Sequence, residues 1–318
     1  ADIDALPVEE HTGLEFCSKN AGVMHACGHD CHIAMLLGGI KMLMEKKDEL
    51  KGNVKIIFQA AEESCYGARY YIEHGFLDGV DAIYGAHIWG DFDAPYMSFE
   101  SGPRMASADN FTIEVEGVSA HGSAPHQGVD AILAAAHIIT EVQAIVSRMN
   151  DPLNPLVVTI GEIHGGQRFN IIANKVVMEG TTRTHSAEMR RKTEGLLRNI
   201  VEHVAESFGA KATLKFDYYP GPVINDHEDL NRIANAAAVK MYGEDCLKSL
   251  PKMMGSEDFA MYMEKVPGIF GFIGSRNEKL GYTAKNHNDH YTVDESVLKR
   301  GAAMYAQFAY DYLEEKAE

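Results

Sequence analysis

The sequence predicts an α/β protein in two parts: a mainly parallel-sheet domain, discontinuous along the chain, and an inserted α+β domain of the ferredoxin-like βαββαβ type. Three observations predict it. Over the first hundred residues, apolar runs of strand length alternate with a helical period, which implies right-handed βαβ units. From Arg104 onward the pattern changes to period-two strands around two long amphipathic stretches. Past Pro220 the helix–strand alternation resumes. The boundaries fall at residues 1–104 for the first part of the main domain, 105–216 for the insert and 217–318 for the second part.

The elements follow in order. Ile33, Leu36, Leu37, Ile40, Leu43 and Met44 recur at the i, i+3, i+4, i+7 spacing of one helix face. Residues 54–60 (VKIIFQA) and 82–88 (AIYGAHI) read as buried strands, and in parallel sheets the working residues gather at the carboxyl ends of strands. In the insert, residues 111–116 (FTIEVE) alternate as a half-exposed strand should. A helix over 129–147, strands at 156–163 and 175–183, a helix over 187–208 and a strand at 212–218 complete it. The second part offers a buried strand at 268–273 and a final helix at 295–313. The opening ADIDALP has no leading helix or cap, which predicts a chain that starts inside a domain.

Composition narrows the function. The chain is 46% hydrophobic and 24% charged, as ordinary globular proteins are. Against 46 acidic residues stand 29 Lys and Arg, a net charge of −17 that repels phosphate backbones and anionic lipid. No nucleic-acid or membrane partner is therefore expected. The apolar stretch around 131–139 is too short to span a bilayer, and no basic segment followed by an apolar one opens the chain. Five cysteines, an odd number without small-scaffold spacing, predict reduced thiols and a cytoplasmic location.

The chemistry gathers at the ends of these elements. Cys27 and His29 lie in MHACGHDCH ahead of the first helix; Glu62 and Glu63 follow VKIIFQA; His87 closes AIYGAHI; His287 lies in NHNDHYTVDES. A thiolate, three imidazoles and carboxylates form a donor set suited to Zn, Mn, Co or Ni. Five protein donors are too many for one catalytic zinc but suit two ions sharing a water. Of two adjacent glutamates, one can bind metal while the other moves protons. Each piece alone has a plainer reading. A strand-end His is usually a satisfied polar group, paired glutamates favour a helix start, and an intracellular Cys is usually a small buried hydrophobe. A redox role for Cys27 and Cys31 lacks the CxxC spacing. The ordered set, with its strand contexts, outweighs these readings.

The motifs ADIDALP, GVMHACGHDCHIAMLLGG, FQAAEE, GAHIW, AHGSAPHQGVDAI, GGQRFNIIANKVVMEGTTRT, GSEDF and HNDHYTVDE occur in this order over nearly the whole chain. In this the sequence resembles the amidohydrolase branch of the M20 peptidase family, which includes N-acyl-amino-acid amidohydrolases, hippurate hydrolases and auxin-conjugate hydrolases. Members usually carry several dozen further residues ahead of the ADIDALP segment. The resemblance implies two divalent ions per subunit held by Cys27, His29, Glu63, His87 and His287, with Glu62 as general base delivering a metal-bridged hydroxide to an amide. It implies that Asp4 orients a ligand imidazole, a strand-end cap being the plainer role. Asp30 is accounted for by helix capping. The insert resembles the family's lid and dimerisation domain, where His121 and Asn170 would assist catalysis and bind substrate, in many members across the dimer. Arg183 would clamp the substrate carboxylate, or else is a strand-surface charge.

Four positions depart from the family pattern. Ala60, Ala131, Ala173 and Asp289 stand where proline is common, which puts loop geometry and substrate fit at issue rather than the chemistry. The expected reaction is hydrolysis of an N-acyl amino acid by a homodimer. The alternatives are a metallo-exopeptidase acting on short peptides, or a non-catalytic metal-binding dimer.

Overall fold

A computed structural model describes residues 1–317. In chain order its elements begin with α1 (His29–Glu45), α2 (Gly67–Glu73), β1 (Ile83–Asp93), β2 (Met97–Ser98), β3 (Gly102–Met105) and β4 (Asp109–Glu116). There follow α3 (Ala131–Ala144), β5 (Leu156–Gly165), β6 (Lys175–Thr184), α4 (Ala187–Ser207) and β7 (Lys211–Tyr218). The chain continues with β8 (Val223–Asn225), α5 (Glu228–Tyr242), α6 (Phe259–Met263), β9 (Gly268–Arg276) and α7 (Leu298–Lys316). The α/β class stands. The chain divides into two compact units, residues 1–104, 223–252 and 258–318 in one, 105–222 and 253–257 in the other.

In the first unit β9 lies between β1, to which it is parallel, and the short β2, to which it is antiparallel. Every residue of β9 from Gly268 to Ser275 is buried, as its unbroken apolar run requires. Helix α1 packs on α7, and small residues let the two axes approach. A Cβ at Gly38 would stand 2.8 Å from Ala302 Cβ, and one at Gly39 the same distance from Tyr305 Cβ. Cys31, Met35, Leu36, Ile88, Phe99, Ile273 and Phe308 join one apolar core.

Several expectations need correction here. Leu37 and Met44 are exposed; the buried face of α1 runs instead through His29, His32, Met35, Leu36, Gly39 and Leu43. Two buried histidines rotate the face toward polar partners, which a purely apolar count overlooks. Residues 54–60 form no regular strand. A strand needs a neighbour for its backbone groups, and the hydrogen bonds found run to residues 1–3: Gln59 N–H to Ala1 O at 2.8 Å and Ile3 N–H to Gln59 O at 2.8 Å. Strand β1 continues past His87 to Asp93, so that histidine sits within the strand rather than at its end. Residues 295–297 form a 3₁₀ turn ahead of α7.

The second unit is an antiparallel sheet in the order β5-β6-β4-β7 carrying α3 and α4. Its elements run β-α-β-β-α-β. In β4, Phe111, Ile113 and Val115 are buried and alternate with more accessible residues, as the period-two pattern predicts. Asp130 caps α3 by accepting from the N–H groups of Ile132 and Leu133, and Ser186 caps α4 through Met189 N–H. Helix α3 passes into a π-helical turn over Ile145–Met149. Together these 19 residues are long and apolar enough to cross a membrane, contrary to the sequence reading. Ala131, Ala134, Ala135, Ile138, Val142 and Ile145 nevertheless pack in the unit's core.

Candidate metal centre

The first unit gathers all five predicted donors. Cys27 and His29 flank Gly28, whose left-handed φ of 88° turns the chain into α1. A side chain there would meet Ile88 Cγ2 at 2.6 Å, so glycine is required on two grounds. Gly28, not an acidic side chain, holds the N-cap position. Asp30 lies in the first turn, where its carboxylate accepts from Cys31 N–H. Among the described residues, Ala61, Cys65 and His287 are the non-glycine ones with positive φ, and all three lie on segments bearing site residues.

Donor atoms of Cys27, His29 and His87 lie within 4.8 Å of one another, and so do those of Cys27, Glu63 and His287. The two sets share one sulfur. Cys27 Sγ is 3.4 Å from His87 Nε2, and His287 Nε2 is 3.4 Å from Glu63 Oε1. Hydrogen bonds fix the tautomers. His87 Nδ1–H donates to Ile88 O at 2.6 Å, and His29 Nδ1–H faces Asp4 O at 3.1 Å and Asp4 Oδ1 at 3.2 Å. In the neutral form of each ring Nε2 is the nitrogen without a proton, and it is turned into the cluster. Asp4 also accepts from Glu63 N–H at 3.0 Å, so one carboxylate braces two donors.

His29 Nε2 and Glu63 Oε1 are buried and make no hydrogen bond of good geometry, their ionisable neighbours Asp2 Oδ2 and His287 Nε2 standing 3.3 and 3.4 Å away. Two orphaned polar atoms 4.0 Å apart, facing a thiol and further imidazoles, fit a bound cation. The electrostatics agree. Burial drives Glu62 well above the usual carboxylate range, and repulsion from Asp258, Asp2 and Glu63 adds to it. Burial likewise pushes Asp258 up to about 6. Burial pushes His87 well down, which keeps it neutral. For His29, burial opposes the charged form, but the Asp4 hydrogen bond and the charges of Asp2 and Glu62 outweigh it and raise the imidazole to about 9. A divalent ion at Nε2 would displace that proton.

Glu62 and Glu63 lie together beside His29 but differ in setting. Glu62 is the deeper, with Asp258 N–H 3.5 Å from its Oε1; Glu63 faces the imidazoles of His29 and His287. Asp258 itself accepts from Gln59 Nε2 and from Ala68 N–H, tying the extended segment to the start of α2.

Sequence reasoning missed four residues here. Asp2 lies 3.3 Å from His29 Nε2 through Oδ2 and accepts from His32 Nδ1–H through Oδ1. For Asp2, burial opposes the charge, but the imidazoles of His32 and His29 outweigh it and hold the carboxyl well below its usual range. His32 Nε2 accepts from Ile88 N–H at 2.9 Å. The i, i+3 spacing of His29 and His32 on one helix face was an available signal. Asp258 and Asn286, whose Nδ2 donates to Cys27 O at 3.0 Å, gave none, because their partners lie far away in sequence.

The predicted lid residues all belong to the second unit. His121 Nδ1 accepts from Ser123 N–H at 3.1 Å, which leaves the ring proton on Nε2 as a donor. His121 and Asn170 line a cleft of about 410 Å³ with Ser119, Ala120, Arg168 and Ile171. Asn170 Oδ1 is buried without a hydrogen-bond partner. Arg183, half-buried on β6, donates to Ser256 Oγ at 3.1 Å.

Comparison with known proteins bears on this arrangement. Thermostable carboxypeptidase 1 of Saccharolobus solfataricus is 41% identical over 97% of this chain and 78% of its own length. N-acetyl-L-cysteine deacetylase of Bacillus subtilis is 39% identical over 100% of this chain and 74% of its own. The crystal structure of the Bacillus subtilis YXEP protein, a dinuclear metal binding peptidase from the M20 family, superposes with a TM-score of 0.86 at 37% identity, covering 99% of this chain and 80% of that one. The sequence model of Peptidase family M20/M25/M40 matches residues 1–311, and the chain is a hydrolase belonging to that family.

Proposed function

We propose that the protein hydrolyses the amide bond of N-acyl amino acids, with two divalent ions held by Cys27, His29, Glu63, His87 and His287. The observation that carries this reading is the pair of orphaned buried atoms, His29 Nε2 and Glu63 Oε1, within a cluster of thiol, imidazole and carboxylate groups. Such ions polarise a carbonyl and acidify water. Glu62, buried and raised above its usual range, accepts the proton of the attacking water and passes it to the departing amine. His121 offers an Nε2–H donor and Asn170 its Nδ2–H for the carbonyl oxygen, and Arg183 binds the substrate carboxylate.

In this proposal the first unit is the catalytic domain and the second a lid and dimerisation domain. Exposed apolar side chains on the second unit support its pairing with another copy: Phe169 is 95% exposed, and Ile132, Leu133 and Ile163 are exposed as well. A cytoplasmic setting belongs to the same proposal, supported by the absence of disulfides among the described cysteines. A second reading, cleavage of short peptides from the carboxyl end, is favoured by the carboxypeptidase relative.

Chelation is expected to abolish hydrolysis of acetyl- and benzoyl-amino acids, and Mn, Zn, Co or Ni to restore it. Glu62→Gln should lower kcat by about 10²–10⁴-fold while both ions stay bound. Full activity after chelation, or in Glu62→Gln, would refute the assignment. Faster cleavage of dipeptides than of acyl-amino acids would select the second reading.

A further inference from the structure

One uncharged side chain, next to a metal donor in sequence, bonds two further segments that carry donors. Asn286 precedes His287 and is half-buried. Its Nδ2 donates to Cys27 O at 3.0 Å and to Ile88 O at 3.3 Å, and lies 4.0 Å from Cys27 Sγ. Its Oδ1 accepts from Gly90 N–H at 2.8 Å. The orientation of the amide follows from these partners, since two carbonyls require a donor and one N–H requires an acceptor. Ile88 O is the same carbonyl that receives His87 Nδ1–H. The contact therefore reaches the ring of His87 through one shared oxygen.

We infer that Asn286 is a positioning residue for the metal centre: its carboxamide sets the relative placement of Cys27, His87 and His287, and through Ile88 O fixes the tautomer that leaves His87 Nε2 free to bind. Cys27, His87 and His287 come from chain segments far apart in sequence, so their register rests on long-range contacts. His287 adds a reason for a fixed point beside it. Its backbone is in the left-handed region at φ 69°, and its N–H is bonded to Ala26 O at 2.7 Å, one residue before Cys27. Without the carboxamide, the 286–287 segment loses its side-chain bonds to Cys27 O, Ile88 O and Gly90 N–H and keeps on the Cys27 turn the backbone bond from His287 N–H to Ala26 O. The space around Gly90 shows how closely this corner is fitted. A Cβ there would lie 2.8 Å from the Tyr291 ring and 3.1 Å from Asn286 Oδ1.

The inference rests on the two-ion reading above, and its test separates the two. Purified, metal-depleted protein is titrated with Co(II) in competition with a chromogenic chelator, and the thiolate-to-cobalt charge-transfer band is recorded. Wild type should take up two ions per chain with that band present. Asn286→Ala should retain wild-type far-UV circular dichroism but bind cobalt about 10–100-fold more weakly, with a weakened or displaced band. Asn286→Asp keeps the shape and the acceptor for Gly90 N–H while removing both donors, so it decides the matter if the alanine variant does not fold. It should show the same loss. Unchanged affinity and an unchanged band in Asn286→Ala, or a gain in affinity in Asn286→Asp, would overturn the role given to Asn286 alone. A wild-type protein that takes up no cobalt would overturn the two-ion reading and this inference with it.

Discussion

Single residues decide which atoms of the centre are available to an ion. Asp4 accepts from His29 and from the backbone of Glu63, so it fixes one ring and one carboxylate at once. Burial opposes its charge, but those hydrogen bonds prevail and keep it ionised below the usual carboxylate range. Asp4→Ala removes both carboxylate acceptors and leaves His29 Nδ1–H only the main-chain O of residue 4. The expected result is a loss of metal affinity of about 10–100-fold, read by chelator competition, with the secondary structure intact. Affinity equal to wild type would mean that Asp4 serves only as a strand-end cap. The donors themselves were legible as residue types in ordered motifs. Asp2 was not, because a second aspartate in ADIDALP gains meaning only once His29 and His32 are found to face it.

At the scale of elements, periodicity succeeded where one face meets a core and failed where polar partners compete. The alternation in β4 and the apolar face of α3 match the structure because both rest on the same apolar core. Helix α1 is rotated from its apolar count by His29 and His32, whose hydrogen bonds substitute for apolar contact. In the second unit, α4 is tied to β4 by a buried pair. Arg190 Nε donates to Asp109 Oδ2 at 2.8 Å, with Asp109 fully buried and accepting also from Tyr219 N–H. Removing one member leaves the other charge buried and uncompensated. Arg190→Met should therefore destabilise the protein by about 3–5 kcal/mol, measured by urea denaturation. A change below about 0.5 kcal/mol, the range of ordinary surface substitutions, would show that the pair is not coupled to folding.

For the whole molecule, charge and apolar surface point in different directions. A net charge of −17 opposes self-association, yet Phe169, Leu153, Ile163 and Leu133 expose apolar surface on one unit. Strand β5 is an edge of its sheet and is exposed from Gly161 to Gly165, a template for pairing. The expected outcome is a homodimer by sedimentation equilibrium, shifted toward single chains by Phe169→Asp or Leu133→Asp. A wild-type protein that sediments as one chain at high concentration would remove dimerisation from the proposal.

By itself the sequence determined the kinds of donor, their order along the chain and the α/β class, because residue chemistry and short-range period are local properties. The tertiary structure alone decided which nitrogen of each imidazole is bare, that Asp2, Asp258 and Asn286 join the centre, and that residues 54–60 lack a full strand ladder. The physical reason is distance along the chain. These features are set by partners, and Asp4 lies 25 residues from His29, Asn286 259 from Cys27 and Asp258 199 from Gln59.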